Sequence, residues 1–269
     1  MNITKILYYI SVVMSSILTR LTKPLQKIMT SIKPSQDQIT NLSSSTSSEF
    51  YYYDLYFIRH GETEANRDNI LQGHCDYPLT DKGRNEGKNV GIALANIHFS
   101  KVYSSDLKRA SDTCTLLLSN SQTNSDISRI EVTQLLREIS FGVREALPKE
   151  TTVEQAKIIV AKKLGIPVGE VVDTAEKSIE VRNRQQNFID KLIELPLNDE
   201  LNNILLVTHG GYIRAFLRDF CLVQDMEKIK NCSISKIRLK INKSDKTFEF
   251  ECRRNDLNVV KHLNEIELV

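Results

Sequence analysis

Two histidines in this chain are each followed by glycine: His60 in Arg59-His60-Gly61, and His209 in Thr208-His209-Gly210. Imidazole titrates near neutrality, so either ring is a candidate to attack an electrophile or to move a proton at physiological pH. Each pair closes a β-favouring run, Tyr51 to Ile58 and Ile204 to Val207. In open α/β sheets ligands bind beyond the carboxyl ends of strands. Two such pairs can therefore face one pocket although they lie 149 positions apart. One His-Gly alone says little; its repetition at two strand ends carries the signal. Arg59 precedes His60, and Arg109 lies just inside the helix expected after Ser104-Ser105-Asp106. Guanidinium forks match phosphate oxygens, so the chemistry these residues fit is that of a phosphoryl group. Glu138, in Leu135-Leu136-Arg137-Glu138, is the candidate general acid.

The elements that would position these groups follow from patterning. Tyr51 to Ile58 reads as a first strand, Val102-Tyr103-Ser104 as a second and Ile130 to Val132 as a third. Thr80-Asp81-Lys82-Gly83 opens a helical stretch with Val90, Ala93, Leu94 and Ile97 on one face. Asp106 to Leu118 is a helix with Leu107, Ala110, Cys114, Leu117 and Leu118 inward, and Val153 to Lys163 another. Ser178 to Leu195 has helical spacing through Ile179, Val181, Phe188, Ile189, Leu192 and Ile193. Ile204 to Val207 is unbroken and apolar, as expected of a central parallel strand, and Tyr212 to Leu222 is a helix. Ser233 to Ile241 and Thr247 to Cys252 form a hairpin. Alternating strands and helices predict a three-layer α/β sandwich with a mostly parallel central sheet.

Three segments are expected along the chain. Residues 1–33 hold no acid, with apolar residues recurring from Ile3 to Leu21 at helical spacing, and read as a transit peptide or membrane anchor, with a frayed or membrane-grazing extension that carries no address as the alternative. The apolar run Ile6 to Leu18 is too short and too serine-broken to span a bilayer. Residues 34–49 are a serine-rich disordered linker, and residues 50–269 are the folded domain. Five basic and two acidic residues give the first fifty a charge of +3, against +2 for the whole chain, too little to imply nucleic acid. Five dispersed cysteines without a CxxC pair read as reduced thiols; neither zinc site nor disulfide framework is expected. Location is read as cytoplasmic or mitochondrial.

Phe57-Ile58-Arg59-His60-Gly61-Glu62-Thr63-Glu64-Ala65-Asn66 resembles the signature of the histidine phosphatase superfamily, the phosphoglycerate mutase-like enzymes. The remaining motifs appear in that family's order: Leu71-Gln72-Gly73 with Pro78-Leu79-Thr80; Ser104 to Ala110; Leu136-Arg137-Glu138 with Phe141-Gly142; and Val207-Thr208-His209-Gly210-Gly211. The resemblance spans about Tyr53 to Phe220. It implies that His60 is the nucleophile, Glu138 the proton donor, and Arg59, Arg109 and His209 the phosphate pocket. It also places Asn66, Gln72, Gly73 and Gly210 against the substrate. Arg59 and Arg109 should hold His60 neutral, and His209 is taken as protonated, so that the charge offsets a phosphoryl dianion without metal or cofactor.

With no tryptophan, and with Gln72-Gly73-His74 and Phe141-Gly142-Val143, the chain is most similar to the fructose-2,6-bisphosphatase group related to TIGAR. Two departures stand out: Glu145-Ala146 replaces that group's Glu-Gly, and Glu176-Lys177-Ser178 replaces its Gly-Glu-Ser. Leu147 to Thr174, a lid in relatives, matches no branch. The expected partner is a small phosphorylated metabolite, fructose 2,6-bisphosphate or a related sugar or glycerate bisphosphate. A phosphoglycerate mutase, or an organelle-anchored protein phosphatase or scaffold, stays open beside it. Residues 1–33 are read as the membrane contact, and oligomeric state is left undetermined. His74, His98, His262, Lys82-Gly83-Arg84 and Arg253-Arg254 are read as ordinary loop or surface residues.

Overall fold

The computed structural model describes residues 49–195 and 202–260; the expectations for residues 1–33, for most of the 34–49 linker and for His262 lie outside them. Strand β1 (Phe50–Arg59) lies between β4 (Asn202–Thr208), parallel to it, and β5 (Ile234–Asn242), antiparallel. Beyond β4 come β2 (Lys101–Ser105) and β3 (Ile130–Thr133), both parallel; beyond β5 the antiparallel β6 (Phe248–Cys252) ends the sheet. The order β3-β2-β4-β1-β5-β6 is therefore parallel where the histidines are and antiparallel only at one flank.

Alternation along the central strands divides the core. Tyr53, Leu55 and Phe57 of β1 with Ile204 and Leu206 of β4 face one way, while Tyr56, Ile58, Leu205 and Val207 face the other. The first face packs on α5 (Ser178–Ile193) and α6 (Gly210–Phe220), the second on α2 (Asp81–Ala93) and α3 (Lys108–Ser119). Both faces of β4 are dry, which is why its sequence does not alternate. Two further helices, α1 (Glu64–Arg67) and α4 (Val153–Leu164), lie in the connections after β1 and β3. The three-layer α/β sandwich is thus present among the described residues.

Several details differ from the sequence reading. Helix α2 stops at Ala93, which faces solvent, so its buried stripe is Gly87, Val90 and Gly91, continued by Leu94. Ile179 is also exposed, and Val181 is the first residue of α5 to be buried. Helix α6 begins two residues earlier than expected, with His209 itself in the extended N-cap position. The reduced state expected of all five cysteines is corrected: Cys221, after α6, and Cys252, at the end of β6, form a disulfide with Cα atoms 6.2 Å apart. Their sequence separation of 31 gave no hint, since only the return of β6 alongside α6 brings them together. Cys114 is a buried thiol in the second core cluster.

Candidate active site

The ends of β1, β2 and β4 and the segment after β3 meet around a cavity of about 400 Å³. His60, the first residue beyond β1, is pinned at both backbone groups. Its N–H donates to the Thr208 carbonyl at 3.0 Å, and its carbonyl accepts from the Asn231 amide at 3.0 Å. Its ring is nearly buried, and Nδ1 lies 2.8 Å from the Gly61 carbonyl oxygen. A carbonyl can only accept, so Nδ1 carries the proton and Nε2 keeps its lone pair. Gly61 can sit there because it packs on the first turn of α2; a Cβ on it would lie 2.9 Å from the carbonyl carbon of Gly83.

Arg59 and Arg109 line the same cavity, and both are almost wholly buried. Arg59 donates through Nη1 to the Ile229 carbonyl at 2.7 Å. Arg109, from the first turn of α3, donates to the carbonyls of Gly73 (2.7 Å) and Cys75 (2.9 Å) and to Asp76 Oδ1 (3.1 Å). In both side chains the buried Nε–H has no hydrogen-bond partner among the described residues. Two cations buried so deeply beside one cavity favour an anion within it.

The carboxylate of Glu138 is docked on the start of α6. Its Oε2 accepts from Gly211 N (3.0 Å), and its Oε1 accepts from Tyr212 N (2.9 Å) and Ile139 N (2.9 Å). The Gly211 and Tyr212 amides are helix-terminal donors that would otherwise lack partners, and the helix dipole favours a negative group there. Gly211 is required for the approach, since a Cβ on it would stand 2.5 Å from Oε1.

Of the other expected contacts, Asn66, Gln72, Gly73 and Gly210 all line the cavity. Asn66 Oδ1 is taken up by Asn231 Nδ2 (3.0 Å) and Gln72 Oε1 by the Thr63 hydroxyl (3.0 Å), so their amide nitrogens are the groups left for a ligand. Gly73 instead turns its carbonyl to Arg109. His209 departs from expectation: it is wholly buried behind His60, ring centroids 5.2 Å apart, and is not among the cavity-lining residues. Its Nε2 meets the Ser105 hydroxyl at 2.8 Å, while Nδ1 has no partner among the described residues.

Burial and then the charges of Arg109 and Arg59 hold the His60 imidazole well below its ordinary 6.5. Burial, Arg109, His60 and Arg59 do the same to His209, so the protonated His209 expected from sequence is corrected to a neutral ring. The sign of the consequence is fixed. Native values below 6.5 mean that the unfolded chain binds these protons more readily. Both rings thus contribute stability that is fully present above about pH 6.5 and is lost as pH falls below it. Thermal melts between about pH 7.5 and pH 5 should show this fall, with a shallower slope in His209→Gln. Equal slopes in the two proteins would contradict it.

Sequence reasoning missed other residues here. Asn231 holds both His60 and Asn66 from the loop before β5. Asp76 receives the Lys108 backbone N–H and the Arg109 side chain. Arg144, Lys149, Arg214 and Lys228 stand around the same cavity, and none forms an ion pair among the described residues. Burial, Lys228 and Arg59 together push the Lys149 ammonium down. His74 is more than a loop residue: its Nε2 donates to the Glu138 carbonyl at 2.9 Å.

Among known proteins, a fructose-2,6-bisphosphatase TIGAR B of Danio rerio is 30% identical over 205 residues, covering 65% of this chain and 76% of that one. A broad-specificity phosphatase of Saccharomyces cerevisiae is 36% identical over 169 residues, 61% of this chain and 68% of the other. A solved phosphoglycerate mutase from Bacillus anthracis superposes with a TM-score of 0.62 at 27% identity, over 81% of this chain and 97% of that one. Residues 55–249 match the histidine phosphatase superfamily, branch 1, a span that holds both histidines, both buried arginines and Glu138. The chain belongs to that superfamily and is a phosphatase.

Proposed function

We propose that this phosphatase hydrolyses small phosphoesters bearing a second anionic group, fructose 2,6-bisphosphate foremost, through a phosphohistidine on Nε2 of His60. The observation that carries the reading is the tautomer: the Gly61 carbonyl fixes the proton on Nδ1, and burial beside Arg59 and Arg109 keeps Nε2 unprotonated. The Nε2 lone pair attacks phosphorus and the ester P–O bond breaks. The departing oxygen takes a proton from Glu138. The guanidinium groups of Arg59 and Arg109, both lining the cavity, donate to the phosphoryl oxygens as charge spreads over them. Water then attacks the phosphohistidine, its proton passes to Glu138, and the P–N bond breaks to return neutral His60. His209, buried against the His60 ring, helps to set its orientation.

The substrate class rests on the outer cations. Arg59 and Arg109 match one phosphoryl group; Lys149, Lys228, Arg144 and Arg214 exceed what a monoester of a neutral alcohol can satisfy. Similarity to the zebrafish fructose-2,6-bisphosphatase supports the sugar bisphosphate, and the yeast relative's name favours more than one substrate. The test is phosphate release from fructose 2,6-bisphosphate, 2,3-bisphosphoglycerate, phosphoglycolate and a phosphopeptide. The bisphosphates should lead, and Lys149→Ala and Lys228→Ala should each raise KM for fructose 2,6-bisphosphate about tenfold with kcat little changed. A preference for the phosphopeptide would overturn the substrate class. A coupled mutase assay on the same preparation tests whether the phosphoryl group returns to product instead of water.

A further inference from the structure

Beyond Thr133, where β3 ends, the chain leaves the sheet, yet four consecutive carbonyls are held by side chains. Thr208 Oγ1 donates to the Leu136 carbonyl at 2.6 Å, and His74 donates to that of Glu138. The rest are held by one residue, Arg184 of α5. Its Nη1 donates to the carbonyls of Leu135 (3.2 Å) and Arg137 (2.8 Å), and its Nη2 to that of Glu138 (3.3 Å). Its Nε and Nη2 also donate to Glu176 Oε1 (2.9 Å) and Oε2 (2.8 Å). A guanidinium has five N–H donors in a rigid fork, and here each has an acceptor.

The far end of this brace is equally specific. Glu176 N donates to the Ser140 carbonyl at 2.9 Å, and Ser140 N donates back to Glu176 Oε2 at 3.3 Å. Asp173 Oδ1 accepts from Val143 N at 3.1 Å, a second staple between the same segments. The Arg184 guanidinium also lies over the Tyr212 ring, 5.5 Å from its centroid, and Tyr212 N is a donor to the Glu138 carboxylate. The ion pair is largely shielded, its side chains 16% and 15% exposed. The sequence departure at Glu176-Lys177-Ser178 therefore retains a working acid, displaced to its first position.

We propose that Arg184, locked by Glu176, is a positioning residue for Glu138, so that the acid is aligned only while the segment around residues 173–176 is seated. Neither side chain lines the cavity, so their effect passes through the Glu138 backbone and the start of α6. This rests on Glu138 acting as general acid, and leaving-group chemistry separates the two claims. A p-nitrophenolate departs without a proton; an alkoxide does not. Arg184→Lys keeps the charge and loses the fork. It should lower the single-turnover rate at which an alkyl phosphate such as fructose 2,6-bisphosphate phosphorylates His60 about 100-fold, while the same rate from p-nitrophenyl phosphate stays within about threefold. Glu176→Gln should show the same selectivity to a lesser degree, and it carries the test if circular dichroism shows the lysine protein to be unfolded. Equal losses on both substrates, or no loss on either, overturn the proposal. Glu138→Gln is measured alongside. If it shows no leaving-group selectivity, the role of Glu138 falls; if it alone shows selectivity, only the brace falls.

Discussion

The His60→Ala protein is expected to release phosphate at least about four orders of magnitude more slowly than the parent, because removing a nucleophile leaves only binding and electrostatics. The loss should fall on kcat, with little change in the affinity for inorganic phosphate. That separation follows from the geometry: Arg59, Arg109, Asn66 and Gln72 are each held by partners other than the His60 ring. Rapid quenching with labelled substrate should trap an acid-labile, alkali-stable phosphoryl adduct on the parent and none on the variant. Full activity in His60→Ala, or an adduct that survives acid, would remove the phosphohistidine from the scheme.

Arg109 is the second position where a large effect is expected, and there catalysis and stability should fail together. The side chain is 1% exposed and supports two carbonyls and one carboxylate of the 73–76 loop. Arg109→Ala leaves the two carbonyls without that donor and opens a void, so a loss on the order of 3 kcal/mol in urea unfolding is expected. Turnover should drop about a thousandfold or more, since a preorganised donor to the transferring group is gone. Inorganic phosphate should raise the melting temperature of the parent and leave that of Arg109→Ala unmoved. A variant still protected by phosphate would show that the anion binds elsewhere.

What could be read from the sequence was what is locally encoded. The apolar run Ile204 to Val207 needs both its faces buried, and a histidine just after it must lie at the carboxyl edge of the sheet. Thr80 announced its helix because a threonine hydroxyl three residues ahead of Gly83 can take that amide's hydrogen, as it does at 3.0 Å. The cavity's outer cations had no such signature. Lys228 and Asn231 lie in a segment without helical or strand periodicity, and only the return of the chain into β5 carries them to His60 and Asn66. Arg184 sits on α5 among other charged residues, with nothing in its spacing to single it out. Its function depends on which loop crosses α5, and spacing within α5 does not hold that information. The charge state of His209 was misjudged because sequence shows neighbouring cations but not the absence of solvent.

The order of the sheet also bears on how the molecule is made. Strand β1 carries Leu55, Phe57 and Ile58, all fully buried, and its pairing partners are β4 and β5. Neither partner exists until synthesis has passed residue 202, so the strand that leads to His60 waits unpaired for about 150 residues. Local helices can form in the meantime, but the long-range closure that makes a pocket comes near the end of translation. Glu138 is likewise without its dock until Gly211 and Tyr212 emerge. A ribosome-bound fragment lacking the last quarter of the chain would hold the nucleophile and both arginines and still be silent, a safeguard against premature hydrolysis that arises from topology alone.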